Sequence, residues 1–241
     1  MRAISIIYRR ELGAYLCSPF GWVIAAILLL IDGILCQGLA MSGEQLSAMV
    51  LERYFYFASL MPLFGGVLLS FRLLSEERQN HSMVLLNTSP VRDSDIVLGK
   101  FFAALTFLAI MLLLSAYMPI MIKVNGKITG AQVLVGYLGM LLLGAATLAI
   151  GLFGSALTRQ QLIAAVASAA MVALLAFIHI LGTRVDPPLK EVIEQVDLWW
   201  VHYQYGFMKG VLNLKDIVYY LAMTYFFLLL SIKTLEAKRW Q

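Results

Sequence analysis

Few residues in this chain could do covalent chemistry. A phosphate-binding loop needs G-x-x-x-x-G-K followed by Ser or Thr, so that a hydroxyl can reach magnesium. Gly99-Lys100 is followed by Phe101 and Gly126-Lys127 by Ile128, so neither pair completes one. With only His81, His179 and His202, and no Ser/His/Asp set at useful spacing near a membrane surface, neither metal nor nucleophilic catalysis is expected. The chain is read as no enzyme and as holding no cofactor of its own. Its remaining chemical material is charge in unusual places. Asp32 stands near the middle of a long apolar run, and Glu11 falls inside an apolar helix face beside Ile4, Ile7 and Tyr15. Unpaired burial of a carboxylate is costly, so Glu11 either snorkels to water beside Arg10 or contacts a partner.

The densest charge lies between Phe71 and Lys100, which holds Arg72, Glu76, Glu77, Arg78, Arg92, Asp93, Asp95 and Lys100. Residues 75–88 can form a helix there, with Pro90 as a stop shortly after its end and Ser94 as a cap for the next helix. Charge runs usually just face water, but a chain so apolar elsewhere needs a soluble contact surface. Glu76, Glu77 and Arg78 could supply the charged part of a docking contact, and Leu85 and Leu86 the apolar part.

The elements that position these residues are membrane helices. Of 241 residues 61% are hydrophobic and 13% charged, with a mean hydropathy of +0.84. Soluble domains run about 45–50% apolar and about 25% charged. A spanning helix needs about 20 apolar residues, and several runs reach that. The net charge of +4 marks helix ends rather than a nucleic-acid surface, since no aromatic-basic motif accompanies it. Cys17 and Cys36 bracket the first span, about 28 Å apart at 1.5 Å per residue, and cannot pair.

The expected fold is an all-α membrane protein, one domain over residues 1–241. Residues 2–19 form an amphipathic interfacial helix that Pro19 ends. Spans are expected at about 20–40, 54–74, 96–122, 131–154, 162–182 and 214–234, with a polar loop at 41–53. The first is an uncleaved anchor, because the run is too long for a signal peptide and five more follow. Pro62 and Gly65-Gly66 should bend the second. In the fifth, Ala165, Ala169, Ala173 and Ala176 form a small-residue strip for close helix packing, within the chain or against a second subunit. Between the fifth and sixth, Leu189, Val192, Ile193, Val196 and Trp200 recur at helical spacing. Trp199, Trp200 and Tyr203 suit the headgroup level, which makes this segment an interfacial anchor or an external gate. Asp32 and His179 differ in depth by about 7 Å, so they could pair if the first and fifth spans touch.

Several stretches carry a resemblance: Arg72-Leu-Leu-Ser-Glu-Glu-Arg78, Leu85-Leu-Asn-Thr-Ser-Pro-Val91 and Ile96-Val-Leu-Gly-Lys-Phe101. So do Tyr8-Arg-Arg-Glu-Leu12 with Ser18-Pro19, Gly136-Tyr-Leu-Gly139, Gly151-Leu-Phe-Gly-Ser-Ala-Leu-Thr158, and Arg239-Trp240. Together they resemble ABC-2 type transporter permeases, within them the gliding-motility-associated branch. That pattern has Gly-Thr and an acidic residue after Glu-Glu-Arg, where this chain has His81, Ser82 and Val84. The resemblance implies a permease subunit driven by a separate ABC ATPase that binds ATP and magnesium. It implies a second permease subunit, identical or related, and a cytoplasmic coupling helix between spans two and three. Arg10, Glu11, Glu76, Glu77, Arg78, Leu85 and Leu86 would meet the ATPase. Asp32, Ala165, Ala169, Ala173 and His179 would line the dimer interface or pathway.

With both termini inside, eleven basic residues face the cytoplasm and seven the outside, which fits a multi-pass protein of a bacterial inner membrane. Its partners would be the ATPase, the second subunit and membrane lipid, with no nucleic acid. Two other functions remain open: a proton-coupled secondary transporter using Asp32 and His179, and a membrane scaffold of a motility or secretion complex.

Overall fold

The computed structural model describes residues 2–40, 47–79, 91–126, 128–182 and 189–239. Every regular element among them is helical. After α1 (Arg2–Cys17), six helical stretches are long and apolar enough to cross a membrane. The first is α2 (Pro19–Leu35), continued by a π-helical turn, Cys36–Ala40. The second stacks α3 (Ser47–Ala58), α4 (Leu60–Ser70) and α5 (Arg72–Gln79). The third joins α6 (Asp93–Ser115) to α7 (Tyr117–Asn125). The fourth is α8 (Gly130–Leu157), the fifth α9 (Gln161–Gly182) and the sixth α11 (Leu214–Arg239), with a short α10 (Leu189–Val196) between the last two.

Pro19 ends α1 as expected. Ser18 accepts a hydrogen bond from the Gly21 amide and Pro19 takes the first helical position, where its missing N–H costs nothing. Other boundaries differ from expectation. The second span starts at Ser47, so Glu52 and Arg53 lie on a helix and not in a loop. It runs 33 residues to Gln79, about 50 Å against the roughly 30 Å of a hydrocarbon core. The helix expected over 75–88 is described only to Gln79, as the end of this span; Leu85, Leu86 and Pro90 lie outside the described residues. Ser94 is no cap, since α6 already starts at Asp93. Asp93 and Asp95 in its first turn instead complement the positive helix end.

The two long spans are interrupted at three single residues, each with a local cause. At Ser59 the helix is interrupted three residues before Pro62, which has no N–H for the Ala58 carbonyl. The Ser59 hydroxyl donates to the Tyr56 carbonyl at 2.7 Å and accepts from Trp199 Nε1 at 2.8 Å. At Phe71 the Ser155 hydroxyl of α8 enters the helical ladder. It accepts from the Leu74 and Ser75 amides at 3.0 and 2.9 Å and donates to the Phe71 carbonyl at 2.7 Å. At Ala116 the cause is Pro119, which leaves the Ser115 carbonyl without its donor four residues on; the Tyr54 hydroxyl approaches that carbonyl at 3.4 Å. Tyr54 and Tyr137 share a 2.8 Å hydrogen bond beside it.

α8 packs against the second, fifth and sixth spans. It lies close on α4, where a Cβ on Gly66 would lie 2.1 Å from Thr147 Oγ1. That hydroxyl donates to the Pro62 carbonyl at 2.9 Å. Residues with little or no side chain permit such contacts in lipid. The apolar face of α1 packs on α6 rather than on lipid: Ile7 sits over Gly99 and Tyr15 stacks on Phe107 at 5.2 Å. Tyr15 also donates to the Leu69 carbonyl at 2.8 Å.

The segment between spans five and six is wedged into the bundle. α10 ends at Val196, so Trp200 does not continue its periodic face. Asp197 turns the chain, its Oδ1 accepting from the Trp199 and Val201 amides at 2.9 and 3.0 Å. Leu198 N–H donates to the Leu175 carbonyl and Tyr220 to the Leu198 carbonyl. Phe207 then covers Gly139 of α8.

The Gly66 contact yields a direct test. Gly66→Ala places a methyl against the Thr147 side chain and should cost about 1–3 kcal/mol, read as a lower thermal unfolding midpoint in detergent. Gly13→Ala, with open space around the new methyl, should leave the midpoint unchanged or raise it.

Candidate functional site

The charged residues of α1, α5 and α6 meet in one network. Gly99 lets α1 lie close on α6, which brings Glu11 to Lys100. Lys100 Nζ stands 2.9 Å from Glu11 Oε1 and 2.9 Å from Glu77 Oε1. Arg10 Nη2 reaches the same two oxygens at 2.7 and 2.9 Å. Two cations from different helices thus bridge two carboxylates from different helices. The Lys100 side chain is 2% exposed, whereas that of Arg10 is 55% exposed. Lysine is almost never fully buried unless paired, and here the pairing joins three elements. Burial pushes the Glu11 carboxyl up, but the Lys100 charge and the hydrogen bonds from Arg10 and Lys100 outweigh it, so Glu11 lies below its ordinary 4.5. The hydrogen bond to Glu11 chiefly holds Arg10 above its usual range.

Beside the network, Arg72 grips Glu76 with two hydrogen bonds of 2.7 and 2.9 Å and lies over the Phe20 ring at 4.2 Å. A cavity of about 570 Å³ opens between α1 and α5, lined by Arg10, Tyr15, Cys17, Arg72, Glu76 and Lys100 among others. The expected contact set therefore divides. Arg10, Glu11, Glu76 and Glu77 stand together, and Glu11 finds its partner within the chain. Arg78 points away, its guanidinium donating to the Ala156 carbonyl at the end of α8. Lys100 is the member that sequence reading missed. The signal was there, since a carboxylate inside an apolar helix face needs a cation.

The other candidates separate further. Asp32 and His179 do not pair. Both Asp32 carboxylate oxygens are buried without a hydrogen-bond partner, and His179 stacks on Trp200 at 5.8 Å. The reason is arrangement: Asp32 borders a cavity between the first and second spans, whereas α9 faces a neighbouring groove divided from it by Leu60, Phe64 and Leu68 of α4. Ala165, Ala169 and Ala173 line that groove, about 420 Å³, with Phe64 and Val67. Ala169 and Ala173 are exposed, so no helix of the described chain fills the strip.

Trp199, Trp200 and Tyr203 do not form a headgroup belt. Trp199 and Tyr203 are buried in the protein, and Tyr203 donates to the Phe55 carbonyl at 3.3 Å. The Trp199 indole and the Tyr203 hydroxyl thus find partners on the second span, so the segment braces the break at Ser59 from within. Burial pushes the Asp197 carboxyl up, partly offset by the Val201, Trp200 and Trp199 amides and the nearby His179. Among the described residues no cluster of three or more His, Cys, Asp or Glu could hold a metal ion.

Removing the buried ammonium should strand two carboxylates. Lys100→Met is expected to cost about 3 kcal/mol, measured by thermal unfolding in detergent, with Glu11→Gln in the same chain recovering part of the loss. The Glu11 contribution has a defined pH window. Because its pKa is depressed on folding, its stabilisation is present above its ordinary 4.5 and is lost as pH falls through the lower folded value. Glu11→Gln should therefore flatten the fall of the unfolding midpoint below about pH 4.5.

The family profile described as ABC-2 family transporter protein matches residues 5–231. Among curated proteins, none matches the chain. The matched stretch takes in most of α1, the ion network and nearly all of the six candidate spans. This multi-pass helical membrane protein belongs to the ABC-2 family of transporter proteins.

Proposed function

We propose that the chain is the permease subunit of an ATP-binding cassette transporter that docks a separate ATPase through α1 and α5, and that ATP hydrolysis on that partner, with its magnesium, drives export or force transmission. The ion network supports this most directly. Lys100 ties α1, α5 and the start of the third span together, so a force applied to the polar insert would reach two spans and the N-terminal helix at once. Docking then falls to groups still open to solvent, Arg10 and the half-exposed Arg72–Glu76 pair, with Leu85 and Leu86 as its apolar part. A nucleotide-dependent movement requires that the ATPase contact this surface differently in its two states. In this reading the charged end faces the cytoplasm of a bacterium, both termini lie inside, and the membrane is the inner one. A second copy or related subunit covers the groove of Ala165, Ala169 and Ala173.

Asp32 favours a second reading, a proton-coupled transporter, because an intramembrane carboxylate without a partner is a functional feature by default. Without a His179 contact, Asp32 would have to carry the proton alone. Loss of transport on adding a protonophore, with ATP held constant, would favour it.

Purification from native membranes in mild detergent tests the permease reading. An ATP-hydrolysing protein should accompany the chain, and its recovery should fall about tenfold or more in Arg10→Glu with Glu76→Lys, which put like charges across the contact. If the intact chain brings no ATPase, the permease reading fails.

A further inference from the structure

We infer that the ends of the second, fourth and sixth spans form a binding site for the phosphate headgroup of an anionic phospholipid. The site is built from Arg78, Arg159 and Lys238. Arg78 Nη1 and Lys238 Nζ both donate to the Ala156 carbonyl, so two cations converge on one oxygen. Lys238 also donates to the Leu157 carbonyl at 2.8 Å, and Arg78 reaches the Thr158 carbonyl at 3.4 Å. Arg159 is exposed and lies within electrostatic reach of both.

Capping alone does not account for three cations. The free carbonyls at a helix end amount to about half a negative charge, which leaves more than two positive charges without compensation. The neighbouring carboxylates are committed elsewhere: Glu76 to Arg72, Glu77 to Arg10 and Lys100, and Glu236 to Lys233. One donor, Arg78 Nη2, is buried with no hydrogen-bond partner among the described residues. Arg159 makes no ion pair among the described residues. The carbonyl bonds hold two cations in place beforehand, so an anion would meet a preformed set of donors. Phosphate oxygens match a guanidinium fork and an ammonium together.

The surroundings favour a lipid over a soluble anion. Leu157, Leu162 and Ile163 flank the cations and are 45%, 81% and 52% exposed. This apolar strip would lie along acyl chains while the headgroup sits on the cations. Such contacts weaken as salt screens them.

The test uses the purified full chain in detergent, without any ATPase, so it stands apart from the permease proposal. Binding of short-chain phosphatidylglycerol is measured by native mass spectrometry and by the rise in unfolding midpoint. Short-chain phosphatidylcholine and inorganic phosphate serve as the comparison arms. Phosphatidylglycerol should bind in preference to both, and Arg159→Gln and Lys238→Gln should each weaken it about fivefold. Arg159 is exposed and makes no hydrogen bond or ion pair among the described residues, so that variant should keep the wild-type midpoint in lipid-free detergent. Equal binding of the two lipids overturns the inference, as does undiminished phosphatidylglycerol binding in the double variant. Inorganic phosphate binding as tightly as the lipid would make this a free-anion site, and a charge-independent rise in midpoint, equal in wild type and in the double variant, would make it a non-specific detergent effect. Either result overturns the lipid assignment.

Discussion

A backbone carbonyl released inside a bilayer has no water to turn to, and the architecture of this chain follows from that constraint. Proline and inserted side chains interrupt the second and third spans, and the interruptions are answered from neighbouring helices. The Ser155 hydroxyl enters the ladder at Phe71, accepting from two amides and donating to a carbonyl. Tyr54 reaches the carbonyl that Pro119 leaves free, and Trp199 holds the serine at the break before Pro62. Each repair is also an interhelical contact, so hydrogen bonding that bridges the breaks also sets which spans touch.

Charge obeys the same logic at one end of the bundle. Lys100 is almost fully buried, and its ammonium is balanced by Glu11 from α1 and Glu77 from α5. Arg10 closes the arrangement from the solvent side. Replacing such a set whole by well-packed apolar groups is often neutral for stability, whereas removing one member leaves the others with the full cost of desolvation. The network therefore specifies how α1 is seated more than how tightly the protein folds. Arg78, one residue from Glu77, turns to α8 instead, since adjacent helical positions point in different directions.

Much of this could be read from sequence. Six apolar runs placed the spans, and Ser18-Pro19 placed the end of α1. Glu11 inside an apolar face announced a missing cation, although nothing in the spacing selected Lys100 over Arg10. The small-residue strip of α9 was visible as a pattern; that it stays open on the surface was not, because openness depends on where the first and second spans come to rest. Trp199 and Tyr203 misled for a physical reason. An amphipathic ring suits both a headgroup layer and a protein interior with one acceptor or donor in reach, and only the Ser59 and Phe55 partners distinguish the two. The early start of the second span was hidden because Glu52 and Arg53 look like a loop but lie on the helix end that leaves the hydrocarbon.

The contacts between the second and fourth spans have a mechanical meaning. Thr147 holds the Pro62 carbonyl and Ser155 holds the Phe71 carbonyl, two pins about 13 Å apart along the second helix. One pin would leave a pivot; two set both the position and the angle of a rod. These spans therefore behave as a single girder, and any large rearrangement of the bundle must move the two together.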